Sequence, residues 1–189
     1  RLFWTQGDKI KDGRAATTNR TQETLWDQNG PSPITSGEIS YFFTPNIEVA
    51  AQISEVDGGV NLIPKAGSEP GTQIIRNTAG FWVGTFSEFR IKRPTQQAAL
   101  RGNWFTSTGN WDHEIKFGFK YRETDRNTIS IYGGDGIFGS PGGGWAYVYR
   151  KGDLTDKTDH ANVWIGDTVL HGPWAINFGI HYSTQSGTQ

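Results

Sequence analysis

Apolar and polar residues alternate along several stretches of this chain. The clearest stretch is "HEIKFGFKYR", residues 113–122, whose apolar positions are Ile115, Phe117, Phe119 and Tyr121. The positions between them are Glu114, Lys116, Gly118 and Lys120. A period of two indicates a β-strand with one apolar and one polar face. The fold class then depends on whether the apolar face contacts a protein core or lipid.

The same alternation predicts three antiparallel hairpins. Their strands lie near 36–43 and 47–55, 96–105 and 113–122, and 160–168 and 174–183. The short links are "TPN" (44–46), "TSTGNWD" (106–112) and "VLHGP" (169–173), and each holds Pro, Gly or Asn, as tight reversals require. Two aromatic residues, Phe42 and Trp164, interrupt the otherwise polar faces.

Much longer segments separate the hairpins. Residues 5–35, 57–94 and 123–158 are rich in Gly, Pro, Asp, Asn and Thr, and we predict them to be long loops. Short turns at one end of a sheet and long loops at the other are typical of outer-membrane barrels. The strand lengths fit roughly 9–11 residues per membrane crossing. We therefore predict an all-β, antiparallel transmembrane β-barrel segment of about six or seven strands, an incomplete barrel with long extracellular loops.

Alternation also assigns side chains to the two faces of the sheet. The predicted lumen side carries Lys116, Lys120, Arg122, Arg101, Glu48 and His181. The predicted lipid side carries Ile115, Phe117, Phe119, Ile165, Ile176 and Phe178.

Composition favours an all-β protein. Aromatic residues reach 13%, with eight Trp, and there are 25 Gly among 189 residues. The net charge of -1 offers no basic excess to meet phosphates, so we expect no nucleic-acid partner. The absence of Cys excludes a disulfide scaffold and thiol chemistry. Because the chain opens at Arg1 and contains no Met, we expect it to be an internal piece of a longer protein.

Several motifs resemble ligand or metal sites. "GDGIFG" (134–139) matches a dinucleotide fingerprint, but "SPGGGWAYVY" follows it and cannot begin the required helix. Four aspartates in or beside the same loop could offer calcium ligands, but their spacing fits no calcium-binding loop: Asp135, Asp153, Asp156 and Asp159. The histidines lack metal-binding spacing: His113, His160, His171 and His181. We expect no cofactor and no metal.

Paired carboxylates would indicate a glycosidase. The available glutamates are Glu48, Glu55, Glu88, Glu114 and Glu123. Glu48 and Glu114 fall on polar faces, but each lies beside a short turn, away from a mid-strand cleft. We expect no enzymatic activity. A soluble carbohydrate-binding or carbohydrate-cleaving β-sandwich and a passive porin-type barrel remain the alternatives.

Two strands carry a family resemblance. "HEIKFGFKYR" and "WAINFGIHYS" resemble barrel strands of TonB-dependent outer-membrane receptors, particularly the Oar-like group of very large barrels. Each has a glycine near mid-strand and a terminal aromatic-plus-polar pair, Gly118–Tyr121–Arg122 and Gly179–Tyr182–Ser183. "GEISYFFTPN", "DGGVNLIP" and "GNWFTSTGNWDHEIKFG" are also similar, so the resemblance covers residues 34–185.

The resemblance implies a middle section of a roughly 22-stranded barrel. Residues 1–189 would form one partial β-barrel domain without a plug domain. The implied function is energised uptake of a bulky nutrient, such as a siderophore or an oligosaccharide, across the outer membrane of a Gram-negative-type bacterium. The implied partners are outer-membrane lipid, a plug domain with the remaining strands, the TonB complex and an extracellular ligand.

The sequence assigns no catalytic, cofactor-binding or metal-binding residue, and it leaves the substrate-binding residues unknown. Aromatic residues in the long segments are candidates for ligand contact, although loop packing is the commoner role of such residues: Trp82, Phe86, Phe138, Trp145 and Tyr147.

Overall fold

A computed structural model describes residues 1–65, 75–76, 81–84, 87–133, 137–139 and 146–189. The long strands are β4 (Pro31–Thr44), β5 (Ile47–Pro64), β8 (Ser87–Thr108), β9 (Trp111–Tyr132), β12 (Gly152–His171) and β13 (Trp174–Thr188). The short strands are β1 (Leu2–Asp8), β2 (Lys11–Arg14), β3 (Trp26–Asn29), β6 (Ile75–Arg76), β7 (Trp82–Val83), β10 (Ile137–Gly139) and β11 (Ala146–Val148). One turn of 3₁₀ helix spans Gln22–Thr24. In the part of the chain that the structure describes, no helix is long and apolar enough to cross a membrane.

The long strands and β1 form one antiparallel sheet in the order β1-β4-β5-β8-β9-β12-β13, and β2 and β3 belong to the same sheet, with β3 paired to β2 and to β5. The three predicted hairpins are confirmed: β4 pairs with β5, β8 with β9, and β12 with β13. Each hairpin turns through two residues, and the registers place all three turns at one end of the sheet. Gly109 and Gly172 adopt φ of 64° and 54° there, a left-handed conformation that glycine accepts without steric cost.

The strands are longer than predicted. Pairing runs on through much of the segments 5–35, 57–94 and 123–158, which the sequence indicated as loops. Within β9, for example, Thr124 pairs with Thr95 on one side and with Thr158 on the other. Beyond the apolar stretch polar residues occur on both faces of these strands, so the alternation is weaker there. The strands thus extend into the predicted loop segments, whose predicted bounds were too wide.

The pairing registers confirm which side chains share a face, because directly opposed residues in an antiparallel pair point the same way. One row of the apolar face reads Ile39, Ala51, Leu100, Phe119, Val163 and Tyr182. The corresponding row of the polar face reads Glu38, Gln52, Ala99, Lys120, Asn162 and Ser183. All six residues predicted for each side fall on one common face.

Exposure differs between the two faces. Along β5, Ile53 of the apolar face is 69% exposed, whereas its neighbours Gln52 and Ser54 on the polar face are only partly exposed. The same alternation recurs along β8 between residues 96 and 100. Side chains crowd together on the concave side of a curved sheet and spread apart on the convex side. The polar face is therefore the concave, lumen side.

Two glycines make room for aromatic rings from the next strand. A Cβ on Gly102 would lie 2.3 Å from Phe117 Cζ, and a Cβ on Gly118 would lie 2.1 Å from Trp164 Cζ2. Phe117 therefore covers backbone on the apolar face and Trp164 does so on the polar face. Trp164, which interrupts the polar pattern of its strand, fills this gap.

A second sheet has four short strands in the order β11-β10-β6-β7. Among the described residues it does not cover the apolar face of the large sheet, where Ile165, Phe178 and Ile180 are 55%, 62% and 76% exposed. A β-sandwich requires two sheets packed face to face over a shared core. The sandwich alternative is therefore wrong. Since β1 and β13 do not pair with each other, the sheet is an open, incomplete antiparallel barrel.

Candidate functional site: the polar face of the sheet

The polar face forms the concave wall of the sheet, and six strands supply its side chains. β9 contributes Glu114, Lys116, Gly118, Lys120 and Arg122, which alternate with the apolar positions of the same strand. Arg101 of β8 lies opposite Gly118, and Glu48 of β5 lies opposite Asn103. The face therefore carries both signs of charge.

Most of these charges have partners. Arg101 Nη2 donates to Glu38 Oε2 at 2.9 Å, and Lys116 Nζ lies 3.1 Å from Glu114 Oε2. Nearer the loop end, Arg126 Nε donates to Asp156 Oδ2 at 2.8 Å. Exposed ion pairs of this kind add little stability individually, so their main effect is to neutralise the wall locally.

Two neighbouring cations of β9 differ from Arg101, Lys116 and Arg126. Within the described residues, neither Lys120 nor Arg122 has an ion pair or hydrogen bond through its side chain. The residues opposite Lys120 are Ala99 and Asn162, and those opposite Arg122 are Gln97 and His160. The sequence alone showed part of this, because the residues two positions before and after Lys120 and Arg122, which share their face, include no acid. The cross-strand neighbours could be known only from the register.

The glutamates do not form a catalytic pair. Glu48 and Glu114 lie on the polar face with different partners: Asn103 Nδ2 donates to Glu48 Oε2 at 3.5 Å, and Glu114 binds Lys116. Strand β8 separates them. The other three glutamates lie on the opposite face: Glu55, Glu88 and Glu123.

The three candidate calcium ligands that the structure describes do not converge. Asp156 faces the polar side, whereas Asp153 and Asp159 face the other side of β12. Asp153 Oδ1 accepts a hydrogen bond from Asn127 Nδ2 at 2.9 Å, and Asp159 Oδ1 accepts one from Tyr121 at 2.6 Å. Asp135 lies outside the described residues, as does the first half of the glycine-rich 134–139 stretch.

The candidate loop aromatics are partly brought together. Phe138 in β10 is directly opposite Tyr147 in β11, and Trp82 lies in β7 of the same small sheet. Phe86 and Trp145 lie outside the described residues.

A polar pair on the apolar face was not predicted. His113 Nδ1 lies 2.7 Å from Asp167 Oδ2, and both side chains are largely buried. Asp167 is opposite Ile115 and Phe178, so it lies within the apolar band near the turn end. Strand alternation alone could have placed each residue on that face, but only the register shows that they meet.

The other histidines are dispersed. His160 and His181 lie on the polar face, where His160 Nε2 is 3.0 Å from Ser183 Oγ. His171 is at the last turn and stacks on Trp111, with ring centroids 4.1 Å apart.

Comparison with known proteins shows likeness at the level of the fold. No protein-family model and no curated protein matches the chain. Among solved structures, the outer membrane transporter YddB from Escherichia coli is 12% identical, with a TM-score of 0.68 over 97% of this chain and 24% of that one. The ferric citrate transporter FecA in its unliganded form is 11% identical, with a TM-score of 0.56 over 86% of this chain and 22% of that one.

The chain thus spans about a quarter of the length of either structure. Its fold is similar to that of part of an outer-membrane transporter barrel.

Proposed function

We propose that this chain forms part of the wall of an outer-membrane transporter in a Gram-negative-type bacterium, and that residues 1–189 act as one partial-barrel domain. The observation that carries the proposal is the uncovered apolar face. An exposed apolar patch of this size is unfavourable in water, and lipid would cover it. The fold likeness to two outer-membrane transporters supports the same role. In this role the chain moves a ligand and catalyses no reaction.

The coupling and the substrate are further parts of the proposal. The strand resemblance to TonB-dependent, Oar-like receptors favours energised uptake with a plug domain and the TonB complex as partners. A barrel of that size fits a bulky nutrient such as a siderophore or an oligosaccharide. A passive porin would use the same wall but leave the lumen open.

Fractionation and conductance test these statements separately. The protein should sediment with the outer membrane and resist extraction by alkaline carbonate; recovery in the soluble fraction would overturn the location. The whole transporter is then purified and inserted into planar bilayers. If a plug domain fills its lumen, it should show no steady open conductance. A permanently conducting pore would favour the porin alternative instead.

A further inference from the structure

Two neighbouring cations of β9 without partners, Lys120 and Arg122, define a site on the polar face that we call the basic patch. They are separated by one residue on the same strand, so their Cα atoms lie about 6.6 Å apart. Lys120 is partly exposed and Arg122 is exposed. In contrast, Arg101, Lys116 and Arg126 on the same face each contact a carboxylate.

Neutral polar groups surround the basic patch. Asn162 Nδ2 lies 3.1 Å from His160 Nδ1, and His160 Nε2 lies 3.0 Å from Ser183 Oγ. The His160 ring therefore bridges two neutral side chains beside Arg122. Among the residues directly opposite the patch, none carries a carboxylate.

Acidic residues lie on the opposite face of the sheet, in the row next to Arg122. The adjacent row on that face includes Glu55, Glu123 and Asp159. A net charge of -1 therefore conceals a separation of charge across the sheet. Charges within a few ångströms dominate the interaction energy, so an anion in contact with the polar face meets the cations first.

We propose that the basic patch binds an oxyanion group, a carboxylate or phosphate, of the ligand that moves along the polar face. Arg122 can hold two oxygens through its planar guanidinium, and Lys120 adds a point charge that reaches the same group. This inference rests on the proposed function, because it assumes that a ligand contacts the polar face. It assigns the ligand negative charge, which the transporter fold alone does not.

A single fluorophore can report binding, because the chain has no Cys. Ser54 lies in the same row as Arg122, two strands away, so Ser54→Cys can carry an environment-sensitive dye without occupying the patch. The protein, folded in detergent micelles, is titrated with citrate as the carboxylate probe and pyrophosphate as the phosphate probe. A neutral trisaccharide at the same concentrations is the control ligand.

Citrate, pyrophosphate or both should bind saturably, and added salt should weaken the binding. Lys120→Gln and Arg122→Gln should each weaken it about tenfold or more, because a charge-assisted hydrogen bond is lost. Lys92→Gln is the matched control, since it removes the same charge from an exposed position on the opposite face.

No saturable anion binding, or equal loss in all three variants, would overturn the inference. Circular dichroism of each variant shows whether the sheet has formed. Absent binding by a correctly folded sheet counts against the basic patch alone, whereas recovery of the protein in the soluble fraction counts against the proposed function.

Discussion

At the scale of single residues, the closest approach between β12 and β13 depends on glycine. A Cβ on Gly179 would lie 2.8 Å from the carbonyl oxygen of Ile165 and 2.9 Å from the Cα of Gly166. These neighbours are backbone atoms, which cannot rotate away as a side chain can. Gly187 is on the same strand and the same face, but a Cβ there would be 3.5 Å from its nearest neighbour, the carbonyl oxygen of Lys157.

Gly179→Ala should therefore destabilise the sheet, by about 1–3 kcal/mol, since the added methyl forces the backbones apart. Gly187→Ala should be neutral or slightly stabilising, by up to about 1 kcal/mol, because alanine restricts the unfolded chain. Urea unfolding in micelles measures both variants. An equal effect of the two substitutions would show that the strand spacing at Gly179 is not as tight as described.

The sequence predicted the side of each charged residue but not its partners. The alternation along β9 was enough to place Lys116, Lys120 and Arg122 on one face. Lys116 pairs with Glu114 of its own strand, but the partners available to Lys120 and Arg122 depend on the neighbouring strands, and register is a long-range property that alternation does not contain. The contact between His113 and Asp167 was missed for the same reason.

At the scale of elements, the sequence predicted the hairpins where one face is apolar and failed where polar residues occur on both faces. The loop-end half of β9 illustrates this, because Glu123, Asp125 and Asn127 occupy the face that Ile115 and Phe117 occupy nearer the turn. Pairing with β8 and β12 continues there, so backbone hydrogen bonds hold this part together with a few buried apolar side chains such as Ile91. Short pairings such as β10 with β11 involve too few residues to leave a pattern.

Amide exchange should distinguish a continuing strand from a loop. Backbone amides of residues 123–130 are expected to exchange about as slowly in micelles as those of residues 113–122, because β12 pairs with all of them and β8 with all but Asp125 and Arg126. Mass spectrometry of deuterium uptake measures this. Complete exchange of 123–130 within seconds would mean that the loop predicted from the sequence was right after all.

A salt-bridge cluster at the loop end ties β2 and β3 to the end of β5. Lys65 Nζ contacts Asp12 and lies 2.9 Å from Asp27 Oδ1. Hydrogen bonding from Lys65, supported by Asp12, lowers the pKa of Asp27, and hydrogen bonding to Asp12 and Asp27 raises the pKa of Lys65. All three groups lie outside the apolar band.

The cluster should loosen in acid. Because the pKa of Asp27 is lower in the folded protein, its stabilising effect is complete above the ordinary value of about 3.9 and is lost as the pH falls through the folded value. Proteolysis of the β2–β3 segment by pepsin should therefore rise steeply below about pH 4. The Lys65→Met variant should be cleaved more readily at higher pH, so its cleavage should depend less steeply on pH. An unchanged profile in Lys65→Met would contradict the assigned cause.

At the scale of the whole molecule, the described part of the sheet has two unpaired edges, β1 with β2 on one side and β13 on the other, and an uncovered apolar face. Residues of that face are large and mostly exposed: Ile39, Tyr41, Ile53, Leu100, Trp104, Phe119, Val163, Ile165, Ile176, Phe178, Ile180 and Tyr182. Burying each one is worth roughly 1.5–3 kcal/mol. Unpaired strand edges add sites for pairing with other chains.

The 189-residue chain should therefore aggregate in buffer and disperse in detergent. Expression without detergent, followed by sedimentation and a thermal melt, measures this. A monodisperse monomer with a cooperative transition in plain buffer would show that the apolar face is covered by protein.

The most direct measurement asks what the apolar face touches. Ile180 and His181 are adjacent in β13 but point to opposite faces, and the absence of Cys allows a single label at either position. In protein reconstituted into vesicles, a charged, water-soluble maleimide should label His181→Cys and leave Ile180→Cys unlabelled until the membrane is dissolved. Equal labelling of both positions in intact vesicles would contradict a lipid-facing apolar wall.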